Sequence, residues 1–452
     1  MSRSEHTPGV ALRVGVLGCG NVGAAFVGLV DSGATAISLR TGIDLEVTRI
    51  AVRDLDRERP GLDRVAFEKR ATTDSGAVVT DPQVDIVVEL MGGIEPARSL
   101  ILQALTSKKP VISGNKELLA AHAGELTAAA ESAGVDLLFE ASVAGAIPLV
   151  RLLRDSLAGE HIVRLTGIVN GTTNYMLTQM SEEGLGYNEA LAQAQSLGYA
   201  EADPTADVEG YDAAAKAAIL AGIAFDADVS SSDVHREGIV GIEASDIAFA
   251  RRLGYEVKLL AVVERADAPG GEVAPAVGAP PCVAVRVHPA MVPKEHPLAS
   301  VRGAFNAVFV EGDAAGELMV YGRGAGGRPT ASAVLGDVID AAHHLREQSR
   351  GRPARRRTPL LRPIADLRSQ YYLTLDVADR PGVLAAVASV FGEHHVSIRS
   401  MEQTGLGVDA RLLFITHMAL EADVSATLQA LRDLDTVERV GSVLRVIGSE
   451  LA

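Results

Sequence analysis

Cysteine is nearly missing from this chain. Only Cys19 and Cys282 occur in 452 residues, too few for a disulfide framework and suited to a reducing cytosol. No His/Cys cluster has zinc-ligand spacing, which argues against a transition metal. The opening MSRSEHTPG lacks an apolar core of the secretory kind, so no signal peptide is expected. No run of about 18 uncharged apolar residues appears, so no membrane span is expected. Positive charge is the scarcer sign: Lys plus Arg is 42 against 58 for Asp plus Glu, a net charge of −16. That excess argues against nucleic acid or an anionic membrane as a general partner. It leaves room for a local basic pocket. With 47% apolar residues, a sizeable core can form, and the length suits two or three domains.

What is present begins with an apolar, β-rich run, residues 12–18, ending on glycine. Gly18-Cys19-Gly20-Asn21-Val22-Gly23 follows, and then an apolar helix over residues 22–30. Strand, G-x-G-x-x-G and helix in that order form a dinucleotide-binding arrangement. The glycines allow a tight turn and close backbone approach, and the helix N-terminus meets the pyrophosphate. A glycine-rich turn without a ligand is the alternative. The next strand, 45–52, ends at Arg53, where an NAD site usually carries an acid. Arg53 can pair with a 2′-phosphate and so favours NADP(H), while Asp54 beside it keeps NAD open.

Further β–α alternation, with strands at 85–90, 110–113 and 135–141 and helices at 96–105 and 116–132, implies a mostly parallel doubly wound sheet. Met91-Gly92-Gly93 and Ser113-Gly114-Asn115-Lys116 follow two of these strands, at the carboxyl ends where ligands bind. Residues 147–157 read as a helix and 161–169 as a strand. Asn170-Gly171-Thr172-Thr173-Asn174-Tyr175 then opens a helix over 174–180. Backbone N–H groups there suit an anion, placing Gly171 and Thr172 near a substrate carboxylate or the nicotinamide. Simple N-capping by Thr172 or Thr173 is the alternative.

The stretch 194–216, AQSLGYAEADPTADVEGYDAAAK, is the most distinctive. Five carboxylates (Glu201, Asp203, Asp207, Glu209, Asp212) crowd a loop marked by Gly198, Pro204 and Gly210. The loop runs into an alanine-rich helix carrying Lys216. Asp212 and Lys216, four apart, share one helical face. The lysine could donate and accept a proton; an ordinary ion pair on a wet helix is the alternative.

Ala194-x3-Gly198-Tyr199-Ala200-x2-Asp203-Pro204-x2-Asp207-Val208-x-Gly210-x-Asp212-x3-Lys216 resembles the signature of homoserine dehydrogenases, and residues 167–175, GIVNGTTNY, match the family again. The family reversibly interconverts L-homoserine and L-aspartate 4-semialdehyde with a nicotinamide cofactor. The resemblance implies that Glu201 and Asp207 hold the substrate, Asp212 orients the reacting group and Lys216 relays the proton. It carries to Lys116 a role at cofactor and substrate. In Glu140-Ala141-Ser142-Val143-Ala144-Gly145-Ala146-Ile147-Pro148 it implies a monovalent cation, Na+ by preference, on the carbonyls of Glu140, Val143, Gly145 and Ile147. A hard cation suits oxygen donors; a plain strand-to-helix turn is the alternative.

Later strands near 257–264, 282–288, 306–311 and 318–321, with a helix over 245–253, extend the substrate domain, and residues 267–281 read as an exposed loop. Gly322 opens a second glycine-rich turn whose backbone can approach the cofactor or act as a hinge. The following helix, 330–345, is expected to return to the first domain. An arginine-rich run, 347–360, reads as a solvated linker. Beyond it, β-α-β-β-α-β order and Asp379-Arg380-Pro381-Gly382-Val383-Leu384 resemble the ACT family of amino-acid-sensing domains. The expected architecture is therefore α/β: a Rossmann-type doubly wound parallel sheet (10–146, completed by a helix near 328–346), an α+β substrate and dimerisation domain (147–327), a linker (347–368) and a ferredoxin-like ACT domain (369–448). A cytoplasmic homodimer or homotetramer is expected, with L-threonine, an end product of the pathway, as the natural effector. Three competing readings remain. One is a different NAD(P)-dependent amino-acid-pathway oxidoreductase. The second, a semialdehyde dehydrogenase acylating a cysteine, needs an activated thiol. The third is a non-catalytic amino-acid sensor.

Overall fold

A computed structural model describes residues 11–266, 280–351, 356–405 and 410–447. Most of the loop expected at 267–281 lies outside the described residues. The chain divides into two compact units.

The first unit comprises Met1–His161, Ala218–Ser231 and Val320–Thr358. Its sheet contains β1 (Leu12–Leu17), β2 (Leu45–Ala51), β3 (Ala71–Thr72), β4 (Ile86–Glu89), β5 (Val111–Ser113) and β6 (Leu137–Leu138). The order is β3-β2-β1-β4-β5-β6 with parallel pairings throughout, a doubly wound Rossmann sheet. Its chain order reverses between β1 and β4, and that crevice takes ligands. All four residues of β4 are buried, because helices cover both faces of such a sheet.

The first helix is longer than its apolar start suggests. Asn21–Thr41 spans 21 residues and stops on left-handed Gly42. Its second half is mostly exposed, where Ser, Gly and Thr are tolerated, so periodicity fades before the helix does. By length and composition it could cross a membrane, but Phe26, Val27 and Val30 are buried in the sheet's core with Val334 and Val338 of the helix Gly327–Arg346. The helix expected at 147–157 is instead a turn of α-helix, Leu149–Arg151, running into a π-turn, Leu152–Ser156. The Leu157 N–H reaches back five residues to the Leu152 carbonyl.

Residues 347–350 of the arginine-rich run are exposed, but one of its arginines is not solvated. The Arg356 side chain is only 7% exposed and faces Asp228 at 3.5 Å, and its guanidinium lies against Gly222. Arg357 bridges to Ala227 in parallel. A charged tract reads as solvent-facing unless an acidic partner, here Asp228, lies near in space.

The second unit comprises Ile162–Ala217, Ser232–Met319 and Pro359–Ala452. Its strands are β7 (Ile162–Ile168), β8 (His235–Arg236), β9 (Tyr255–Arg265), β10 (Cys282–Pro293), β11 (Phe305–Gly312), β12 (Gly316–Arg323, whose end enters the first unit), β13 (Leu360–Leu361), β14 (Arg368–Val377), β15 (Ile398–Thr404), β16 (Ala410–Thr416), β17 (Ala419–Leu420) and β18 (Val437–Val446). The order β11-β7-β9-β10 continues through β18-β14-β16-β15. β10 outruns its expected end at residue 288 by five residues. One edge pairs with β9 over Val283–Pro293. The other, a liability if left bare, is covered in succession by β13 at Cys282 and Val283, β8 at Arg286 and Val287, and β18 at Ala290 and Met291.

The βαββαβ tail is thus hydrogen-bonded into a larger sheet. Tyr371, Leu373, Leu375 and Val377 of β14 alternate onto the tail's own helices. The opposite face is covered as well: Tyr372 is fully buried, stacks on Phe249 at 5.2 Å and donates to Asp246. Phe249 and Asp246 belong to the helix Ala244–Arg252.

Candidate active site

In the first unit the glycine loop spans the turn from β1 to the helix Asn21–Thr41. Gly18 has φ +91°, and a Cβ there would lie 2.6 Å from the Leu90 carbonyl oxygen across the β1/β4 crevice. Gly23 backs onto the Gly18 carbonyl, whereas nothing lies within 4 Å of a Cβ added at Gly20. Gly18 and Gly23 are therefore set by close packing, and Gly20 faces open space at the helix N-terminus. The helix begins at Asn21, one residue before Val22. These features fit a dinucleotide pyrophosphate.

Arg53 is exposed, two residues past the end of β2. Arg59 went unnoticed in the sequence. Its guanidinium donates to the Cys19 carbonyl (3.1 Å) and the Asp54 carbonyl (2.7 Å), bringing a second cation to the glycine loop. The Arg57-Glu58-Arg59 cluster was the available signal. Cys19 itself is buried, and burial pushes its thiol pKa up, away from the thiolate that an acylating enzyme needs.

A second residue missed by sequence reasoning ties the loops after β4 and β5. Glu89 is fully buried. It accepts from the Met91 N–H (2.8 Å) and the Ser113 hydroxyl (2.7 Å), and burial raises its pKa. Asn115 caps the helix Lys116–Ala133 and donates to the Gly93 carbonyl (2.6 Å). Lys116, half-buried, is the first residue of that helix. An acid at a strand end reads as a cofactor ligand; only the fold shows it turned inward.

The turn after β6 places Ala144 (φ +58°) and Gly145 (φ +56°) in the left-handed region, which swings successive carbonyls round. Gly145 packs on the Gly324 carbonyl, and a Cβ added at Gly322 would lie 3.1 Å from the Ile147 side chain. The Glu140 carboxylate accepts from the N–H groups of Val150 and Arg151 (2.8 Å each). Its side chain is therefore spent on the next turn, leaving its carbonyl as the donor to consider. The Ile147 carbonyl accepts from Leu149 N–H (2.7 Å) and keeps a second lone pair. This donor set fits a hard monovalent cation. Among the described residues no three His, Cys, Asp or Glu side chains cluster as a metal site.

The Glu140 N–H donates to Asp337 (2.8 Å) on the helix Gly327–Arg346. Burial pushes the Asp337 carboxyl up to about 7, against the hydrogen bond from the Glu140 N–H and the charge of Arg151, with the Glu140 carboxylate adding to the rise. The unfolded value is about 3.9, so between these limits the folded form binds more protons. Its contribution to stability is complete below the unfolded value and is lost as pH rises through about 7. Asp337→Asn should flatten the fall in melting temperature over that window. A variant retaining the wild-type slope would clear Asp337 of the effect.

In the second unit, the alanine-rich helix begins at Tyr211 as expected, but residues 199–210 before it are not a plain loop. Thr205–Val208 makes a short helical turn, and left-handed Gly210 leads into the helix Tyr211–Ala224. Asp212 and Lys216 are not a wet surface pair: their side chains are 4% and 10% exposed. Lys216 Nζ donates to Asp212 Oδ2 and to the Val169 carbonyl, each at 2.7 Å. Asn170, named in the motif but given no role, is the hub. Its Nδ2 donates to Asp207 Oδ1 (2.6 Å) and Asp212 Oδ2 (2.9 Å), and its Oδ1 accepts from Thr173 N–H (2.8 Å). Carboxylates only accept, so this amide orientation is the consistent one.

Asn170 is also the N-cap of the helix Gly171–Glu182, which corrects both the expected start at residue 174 and capping by Thr172 or Thr173. The Thr172 hydroxyl donates to the Tyr199 carbonyl (2.7 Å), seating the acidic stretch on this helix. The fold thus joins Asp207 to Asp212 through Asn170, and Asp212 in turn holds Lys216. Glu201 is exposed on the same stretch, and its carbonyl accepts from Gln195 (3.0 Å).

Family models match three segments: residues 18–140 as the NAD-binding domain of homoserine dehydrogenase, 148–339 as homoserine dehydrogenase and 371–436 as an ACT domain. The chain is 49% identical to a homoserine dehydrogenase of Mycobacterium tuberculosis over 458 residues, covering 100% of both. It is 48% identical to that of Corynebacterium glutamicum, covering 97% of this chain and 96% of the other. The crystal structure of a homoserine dehydrogenase from Thiobacillus denitrificans superposes with a TM-score of 0.88 at 38% identity, covering 97% of this chain and 98% of that one. A hyperthermophilic archaeal homoserine dehydrogenase in complex with NADPH matches at 27% identity and TM-score 0.60, covering 74% and 98%. A Rossmann sheet with its glycine loop, joined to these domains, defines an NAD(P)-dependent oxidoreductase acting on a CH–OH group. More narrowly, the chain belongs to the homoserine dehydrogenase family.

Proposed function

We infer that this chain interconverts L-homoserine and L-aspartate 4-semialdehyde, with NADP(H) favoured over NAD(H) and an amino-acid effector at the tail. The Asn170–Asp207–Asp212–Lys216 network, buried but for Asp207, carries the reading. The nicotinamide, when bound, exchanges hydride with the substrate carbon. Gly18, Gly20, Asn21, Val22, Gly23 and Lys116, with Gly322 on the second glycine turn, are assigned to the dinucleotide. Segment 10–146 with 328–346 is the cofactor domain, 147–327 the substrate domain and 369–448 the regulatory domain.

Glu201 and Asp207 are assigned to the substrate ammonium, and the first-turn N–H groups of Gly171 and Thr172 to its carboxylate. Asp212 and the Val169 carbonyl hold Lys216 Nζ. From there it protonates the forming alkoxide and takes the proton back in the reverse direction. The carbonyls of Glu140, Val143, Gly145 and Ile147 would hold Na+. Tying those carbonyls together would steady the turn that precedes the substrate domain. A cytoplasmic homodimer or homotetramer with L-threonine as effector completes the reading.

The test is absorbance at 340 nm with L-homoserine and NADP. A homoserine-dependent rise is expected, slowed by added L-threonine; no rise with NADP or NAD overturns the assignment. The NADP preference has its own check. Arg53→Gln should raise KM for NADP about tenfold or more, the size of a lost charge-assisted bond, and leave KM for NAD unchanged. Equal effects on both nucleotides would remove Arg53 from 2′-phosphate recognition.

A further inference from the structure

Arg445 is a buried cation that the proposed chemistry does not use. It lies on β18 of the tail, 6% exposed by side chain, where its residue pairs with Ala290 of β10. Its guanidinium holds two carboxylates. Glu421, at the start of the tail helix Glu421–Arg432, accepts at 2.7 and 3.1 Å. Glu237 accepts from Nη1 at 2.9 Å and faces Nη2 at 2.9 Å. The second carboxylate is not the tail's own. It follows β8 and belongs to a short strap, 235–239.

The far side of that strap rests on the acidic stretch. The Ile239 N–H donates to the Val208 carbonyl (2.8 Å). Gly238 sits on the same carbonyl, so tightly that a Cβ would lie 2.6 Å from Glu209 Cα. Arg236 donates to the Glu209 carbonyl (2.7 Å) and stacks on the Tyr211 ring at 3.4 Å. The strap is pinned to the sheet between these contacts, because Glu237 N–H donates to the Val287 carbonyl (2.8 Å). Val208 follows Asp207, whose carboxylate joins the Asn170 hub. From the tail's arginine to the carboxylate assigned to the substrate ammonium the route is Arg445, Glu237, Gly238 and Ile239, Val208, Asp207.

We propose that the Arg445–Glu237 bridge and the strap 235–239 position the acidic substrate stretch, so that the tail sets substrate affinity through Glu237. Glu237 and Arg445 are positioning residues; neither touches the Asn170 hub. The bridge suits that task. A bidentate guanidinium–carboxylate pair fixes direction as well as distance, and the strap meets the stretch beneath it through the Ile239 N–H, Gly238 and the Arg236 side chain. A shift of β18 along β10 moves Arg445, and with it the strap. The inference rests on the substrate reading above for its kinetic consequence, though not for its structural one.

Two variants of the full chain test it. Glu237→Gln keeps the strap's shape and removes the charge. Gly238→Ala leaves the bridge intact and pushes on Val208 and Glu209. Both should raise KM for homoserine by roughly 5–150-fold, the usual span of coupling between sites, with kcat and KM for NADP near wild type. Hydrogen exchange at the Ile239 amide and across residues 205–212 should quicken in Glu237→Gln. That readout needs no activity, so a wild type inert toward homoserine would overturn the substrate reading and leave this one judged by exchange. Unchanged exchange in Glu237→Gln, or equal losses in kcat and both KM values, would overturn the positioning role. If Gly238→Ala fails to fold, Glu237→Gln decides alone.

Discussion

Lys216→Ala should lower kcat for homoserine oxidation by about 10²–10⁴, the span that general acid–base groups contribute, while NADP binding stays near wild type. Lys216 is a strong candidate on geometry. Its ammonium is held by two acceptors at 2.7 Å, one a backbone carbonyl that side-chain substitution cannot move. Its helix is alanine-rich and buried, so shortening the side chain leaves the helix in place. The discriminating measurement is single-turnover hydride transfer beside cofactor titration by fluorescence. If turnover survives within about threefold, a margin small beside the 10²–10⁴ expected, Lys216 relays no proton.

The second large effect separates stability from chemistry. Asp212→Ala should destabilise the protein by about 3–5 kcal/mol, because it removes the carboxylate paired with a buried ammonium and one of the two acceptors of the Asn170 amide. Replacing both partners by apolar residues of similar volume is often neutral or stabilising. Asp212→Leu with Lys216→Met should therefore recover most of the lost stability and none of the lost turnover. Denaturant unfolding and the 340 nm assay, run on the same three proteins, give the answer. A double variant as unstable as Asp212→Ala would mean that the pair is not the source of the loss. A double variant that turns over would end its catalytic role.

Much of the molecule was legible in its residues alone. Gly18, Gly20 and Gly23 stand between a strand and a helix, and a glycine is informative wherever backbone must approach backbone. Asp212 and Lys216 share a face because helical spacing is a local property. The βαββαβ tail could be read in order because each of its elements is written in its own residues. Helix ends were less legible: Asn21–Thr41 runs eleven residues past its apolar start, since an exposed half-helix carries no periodic signal.

The order of residues was thus enough for the family, the dinucleotide loop, the Asp212–Lys216 pairing and the βαββαβ order of the tail, all of which depend on neighbours close along the chain. It took the folded arrangement to show that Asn170 joins Asp207 to Asp212, that Glu89 turns inward, that Arg356 is buried and that Arg445 of the tail grips Glu237. Each of those depends on which distant segment arrives beside a polar group. The partner that satisfies a buried donor or acceptor is chosen by packing, not by spacing.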